Sequence, residues 1–100
     1  MMQLTKLEEQ FKHVAVIRGG VFLLRLKDAI RFVKACRDAG IRITGLEGFR
    51  VEGDRIQPLQ EHSVDYGSSG RKNHEASHAF LSSREDKDIW FEVVTDDRRE

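Results

Sequence analysis

The sequence predicts an α+β fold: a single small domain with a mostly antiparallel sheet and two or three helices packed on one face. Three observations predict it. The stretch LKDAIRFVKACRDAG, residues 26–40, places its apolar residues at helical spacing. Several shorter stretches alternate apolar and polar residues between glycines, as half-buried strands do. The signals run helix, hairpin, helix, two or three strands, helix, strand, an order that suits helices on one side of an antiparallel sheet. One hundred residues make one domain, 1–100, with residues 95–100 as a solvated tail.

Each element has a local cause. Thr5 and Glu8 form a T-x-x-E capping box, and Leu4, Leu7 and Phe11 share a face, so a short helix is predicted over about residues 5–13. Val14, Val16 and Ile17 are β-branched, and Gly19-Gly20 is a two-residue hairpin turn; the rival reading runs a helix to residue 17. In the main helix Leu26, Ala29, Ile30, Val33 and Cys36 form the apolar stripe, Phe32 sits on its exposed shoulder, and Gly40 supplies the left-handed cap. Residues 41–58 read as strands interrupted at Gly45 and Gly48 and turned at Gly53-Asp54. Pro58 lacks an amide donor, so the return strand ends there or lies at an edge. Residues 60–73 read as a long loop. Asn73 is the expected N-cap of a helix over 73–84, with Ala76, Ala79 and Phe80 facing inward and Leu81 flanking. DIWFEVV, residues 88–94, is a final strand of high β-propensity.

Composition narrows the function. The chain is 39% hydrophobic and 34% charged, enough apolar residue for a core under a surface dense in ion pairs. Lys plus Arg equals Asp plus Glu at 17 each. Zero net charge argues against nucleic acid as partner, because phosphate binding wants a basic excess. It also gives little colloidal repulsion, so self-association is an open reading. One cysteine, Cys36, allows no internal disulfide and suits a reducing compartment. The N-terminal stretch has no apolar signal core, and no apolar run approaches the roughly 20 residues that span a membrane. A cytoplasmic protein is expected.

One motif carries sharp chemistry. His74-Glu75-Ala76-Ser77-His78 is H-E-x-x-H and resembles the motif of the zincin metallopeptidases. On a helix the two histidines lie one turn apart on one side; they could bind Zn²⁺ while Glu75 activates the metal-bound water. Such a site needs a third ligand. The position that would hold the metzincin histidine is Arg84, and the downstream carboxylates are Glu85, Glu92 and Glu100.

Other groupings are blander. His62, Ser63 and Asp65 lie together, but a Ser-His-Asp triad needs residues converging from separate elements. Glu47, between two glycines, reads as a cross-strand partner of a nearby arginine. Arg42, Arg50, Arg55 and Arg71 could form a basic strip, interleaved with Glu47, Glu52, Asp54 and Glu61. Cys36 on the apolar stripe reads as buried filler. In the last strand Ile89, Phe91 and Val93 take one face and Trp90, Glu92 and Val94 the other; if one face covers the core, a Trp or a Phe is left partly exposed to serve an interface, and if helices cover both faces neither is. If that strand is an edge, its free backbone can pair with another chain.

The reading that follows is a small non-enzymatic protein-binding module, regulatory or immunity/antitoxin-like. It needs no cofactor and contacts a protein partner or a second copy through Trp90, Phe91 and Glu92. The alternatives are a minimal zinc-dependent hydrolase using His74, Glu75 and His78, and a domain that dimerises through a sheet edge.

Overall fold

The computed structural model describes residues 3–67 and 70–97. In chain order it holds helix α1 (Lys6–Phe11), a 3-10 turn (Lys12–Val14), strands β1 (Ala15–Arg18) and β2 (Val21–Arg25), helix α2 (Leu26–Ala39), strands β3 (Ile43–Glu52) and β4 (Arg55–Asp65), helix α3 (His74–Ser82) and strand β5 (Trp90–Thr95). The strands form one antiparallel sheet in the order β1-β2-β5-β3-β4. The predicted α+β class and antiparallel sheet hold.

Local chemistry explains the element ends. The Thr5 hydroxyl accepts from the Glu8 amide at 3.1 Å and the Glu8 carboxylate accepts from the Thr5 amide at 3.0 Å, satisfying two donors that α1 leaves free. Gly19 and Gly20 both have positive φ, 57° and 77°, the backbone that a two-residue hairpin turn demands. Gly40 closes α2 at φ 70°.

The core lies between the helices and one sheet face. It gathers Leu7 of α1, Ala29, Phe32, Val33 and Cys36 of α2, Leu81 of α3, and Leu24, Ile43, Leu46, Leu59, Phe91 and Val93 of the sheet. Cross-strand pairing shows how the faces separate. Leu24, Phe91, Gly48 and Leu59 form one row across four strands, on the helix side. The next row, Arg25, Trp90, Phe49 and Pro58, points to the helix-free side, because successive side chains alternate.

The helix-free side is not flat. Leu23 and Phe49 are buried there, outside the helix-side core, at 0% and 5% exposure. Arg18 Nε, on edge strand β1, donates to the Gly53 carbonyl at the β3–β4 turn, at 3.1 Å. In a flat sheet those strands would stand roughly 15–19 Å apart at about 4.8 Å per strand, beyond one side chain's reach. The sheet therefore curls toward its helix-free side, and the curl encloses Leu23 and Phe49.

Several expectations are corrected. Phe32 is 2% exposed, not a shoulder residue: its ring packs edge-on to Phe11 at 5.1 Å and against Phe22 at 6.3 Å, contacts made by α1 and β2. Leu26 and Ile30 are instead only partly buried. In α3 the buried residues are Ser77 and Leu81, while Ala76 and Ala79 are exposed. The inward side is set by contacts from elsewhere: Tyr66 Oη lies 3.2 Å from Ser77 Oγ. Residues 60–65 are not loop but the second half of β4, which runs on past Pro58 as an edge strand. Of the two placements open to the last strand, β5 takes the interior one: it is hydrogen-bonded to β2 on one side and β3 on the other. Of residues 95–100, Thr95 belongs to β5 and Asp96 pairs with Arg42 at 3.3 Å, while residues 98–100 lie outside the described residues. Among the described residues no helix is long and apolar enough to cross a membrane.

Candidate functional site

His74, Glu75 and His78 line a groove of about 320 Å³ between α3 and α2, whose other wall is Val33, Lys34 and Arg37. His74 is not a frayed surface residue. It is half-buried, and its Nε2 lies 2.6 Å from the Ile41 carbonyl. A carbonyl only accepts, so Nε2 carries the proton and Nδ1 is the ring's other nitrogen. His78 is exposed, with Nδ1 3.5 Å from Ser82 Oγ. Asn73 sits at the N-cap position in the left-handed conformation, but its side chain does not cap. It donates to the Ile43 carbonyl at 2.7 Å and the Arg71 carbonyl at 3.1 Å, tying the helix start to β3.

A third metal ligand is not brought in. Among the described residues no three of His, Cys, Asp and Glu gather at one point. Glu85 lies beyond the end of α3, and Glu92 is on the helix-free side of the sheet, away from both histidines. The side chains facing the motif are two cations, which repel a dication.

His62, Ser63 and Asp65 do not converge as a triad; they shape a bulge. Between the pairs Leu46–Val64 and Gly48–Leu59, β3 has one residue, Glu47, and β4 has four, Gln60 to Ser63. Ser63 Oγ accepts from the Gly48 amide at 3.1 Å and donates to the Leu59 carbonyl at 2.8 Å, so the hydroxyl bridges the interrupted ladder. Gly48 leaves the space for this. A Cβ there would stand 2.6 Å from His62 Cβ and 2.8 Å from its carbonyl oxygen. Arg84 anchors the bulge from the other side, donating to the Glu61 carbonyl at 3.2 Å while lying 4.3 Å over the Phe80 ring. Asp65 Oδ1 accepts from the Gly67 amide at 2.8 Å. Sequence reasoning missed Arg84 as a positioning residue; its one signal was an arginine four residues after Phe80.

The predicted interface residues divide. Phe91 is fully buried in the helix-side core, so it offers no surface to a partner. Trp90 and Glu92 are on the helix-free side, each partly exposed. The Arg25 guanidinium lies 4.7 Å from the centre of the Trp90 ring, a cation–π contact between β2 and β5. Glu47 is opposite Glu92 rather than an arginine, a correction that follows from β5 pairing with β3. Glu92 is engaged within the chain. Beside Glu47 the bulge opens a hollow of about 640 Å³, walled by Thr44, Gly45, Gln60, Asp65 and Val94.

The remaining candidates resolve simply. Burial pushes the Cys36 thiol up to about 12, with Asp97 and Glu8 adding negative charge nearby, so it is a core residue and not a nucleophile. The four arginines make no single strip: Arg42 pairs with Asp96, Arg50 and Arg55 flank the β3–β4 turn, and Arg71 precedes α3. Comparison with protein-family models, with curated proteins and with solved structures gives no match.

Proposed function

We propose that this chain is a small non-enzymatic protein-binding module, regulatory or immunity/antitoxin-like, whose partner contacts the helix-free side of the sheet. The observation that carries the proposal is the surface there. All three helices contribute to the opposite side, and the side they leave uncovered combines partly exposed Trp90 with the hollow beside Glu47. A partly exposed aromatic on the same side of the sheet as a concavity suits an interface hot spot. Among the described residues Glu47 has no ion pair, and Asp65 shares the hollow, so the partner presents a basic side chain there. A single buried cysteine suits work in a reducing cytoplasm.

Edge-to-edge dimerisation has less support. Edge strand β4 carries Pro58 and the bulge, and edge strand β1 is four residues long with Arg18 Nη1 on the Ile17 carbonyl at 2.9 Å. Short strands, proline, bulges and charged side chains all discourage strand addition. The zinc-hydrolase alternative is weakened by Lys34 and Arg37 facing the histidines.

The test uses the one tryptophan of the chain, Trp90, as reporter. A partner captured with the intact protein is purified and titrated while Trp90 emission is followed. Glu47→Lys should weaken binding at least tenfold with the fold retained, and Trp90→Ala, followed by calorimetry, should cost about 1–2 kcal/mol or more. Wild-type affinity in both variants would remove this surface from the function.

A further inference from the structure

The H-E-x-x-H stretch has a use that the protein-binding proposal leaves untouched. We propose that the α2–α3 groove binds the phosphate group of a small anionic ligand. Two helices bring nitrogen-bearing side chains to one hollow: Lys34 and Arg37, one turn apart on α2, and His74 and His78, one turn apart on α3. Val33, 1% exposed, contributes an apolar wall. The volume, about 320 Å³, is at the small end of ligand pockets and holds a phosphate with a short carbon skeleton.

The charges favour an anion. Lys34 makes no ion pair among the described residues. Among the described residues Arg37 has an ion pair only with its neighbour Asp38, at 3.6 Å with side chains 61% and 75% exposed, a pair too solvated to hold the guanidinium back. Among the described residues Glu75 is the one carboxylate on the groove wall, against two fixed cations. Arg37 can offer two parallel N–H donors to phosphate oxygens and Lys34 a point charge. The His74 ring is held in place by its bond to the Ile41 carbonyl, so one wall is set before a ligand arrives. A divalent metal would meet the same two cations and is disfavoured for the reason that a phosphate is favoured.

The experiment is a titration of the full chain with inorganic phosphate, followed by amide NMR at constant ionic strength with sodium chloride as the balancing salt. A second titration uses glycerol phosphate. Saturable shifts confined to residues 33–38 and 73–79 are expected. Lys34→Gln combined with Arg37→Gln, both exposed positions whose replacement leaves the spectrum folded, should weaken binding at least tenfold. Several-fold tighter binding of glycerol phosphate assigns the site to an organic phosphate; equal affinity assigns it to free phosphate. Shifts that rise linearly, that sodium chloride reproduces, or that persist in the double variant overturn the proposal.

Discussion

Gly48→Ala tests the bulge that shapes the helix-free side. The new methyl would lie 2.6 Å from His62 Cβ, 2.8 Å from the His62 carbonyl oxygen and 3.3 Å from Ile89 Cγ2. Two of those contacts are far inside van der Waals distance, and one is with backbone, so no rotamer change relieves them. β4 must move away from β3. Overpacking of this kind costs about 1–3 kcal/mol. The movement also pulls the Gly48 amide from Ser63 Oγ, worth roughly 0.5–1.5 kcal/mol more. A total of about 2–4 kcal/mol is a large share of the 5–15 kcal/mol that typically holds a domain together. It should lower Tm by roughly 10–25 °C at this chain length. Urea unfolding followed by circular dichroism gives the number. Gly70→Ala is the matched control: among the described residues nothing lies within 4 Å of its added Cβ, and its φ is not positive, so stability should hold or rise slightly. If Gly48→Ala unfolds within about 0.5 kcal/mol of wild type, the β4 bulge does not ride on that glycine.

Three further outcomes follow from the packing. Phe32→Ala should cost about 3–5 kcal/mol, and Ile30→Ala distinctly less because Ile30 is only partly buried, a ranking that thermal melts of the two variants check. His74→Ala should cost about 0.5–1.5 kcal/mol through the lost bond to Ile41, whereas His78→Ala should stay within about 0.5 kcal/mol; equal effects in urea would contradict the asymmetry. The Cys36 thiol stays protonated in the fold to about 12, against an ordinary 9.0, so the unfolded chain binds fewer protons across that window. Its contribution is complete below pH 9 and lost as pH rises toward 12; wild type should therefore lose more stability than Cys36→Ala over that range, and a disulfide reagent at pH 8 should react with Cys36 only after unfolding.

Much of the fold is legible in local residues. The Thr5–Glu8 box, the Gly19-Gly20 turn, the α2 helix and the Gly40 cap each depend on neighbours within a few positions, and each appears where the sequence places it. Pro58 likewise marks an edge strand, because a missing amide donor is a local fact. The candidate sites were less legible. Phe32 looked exposed because the α2 stripe alone cannot show Phe11 and Phe22 arriving beside it. The H-E-x-x-H stretch lines a groove, but the cations on the opposite wall, Lys34 and Arg37, are some forty positions away in sequence.

What the sequence determined by itself is the set of elements and the α+β class, since capping, turn conformation and apolar period are short-range. Tertiary structure alone decided the order of the strands. β5 carries the propensity of any strand, yet it becomes the centre of the sheet because Leu24 and Arg25 meet Phe91 and Trp90 on one side and Gly45 to Phe49 meet Trp90 to Val94 on the other. Those pairings join residues some 40 to 70 positions apart, and the observed order satisfies backbone hydrogen bonds on both sides of β5 while placing Phe91 and Val93 in the helix-side core. That same arrangement puts Trp90 on the helix-free side, sets Glu47 against Glu92, and curls the sheet until Arg18 reaches Gly53.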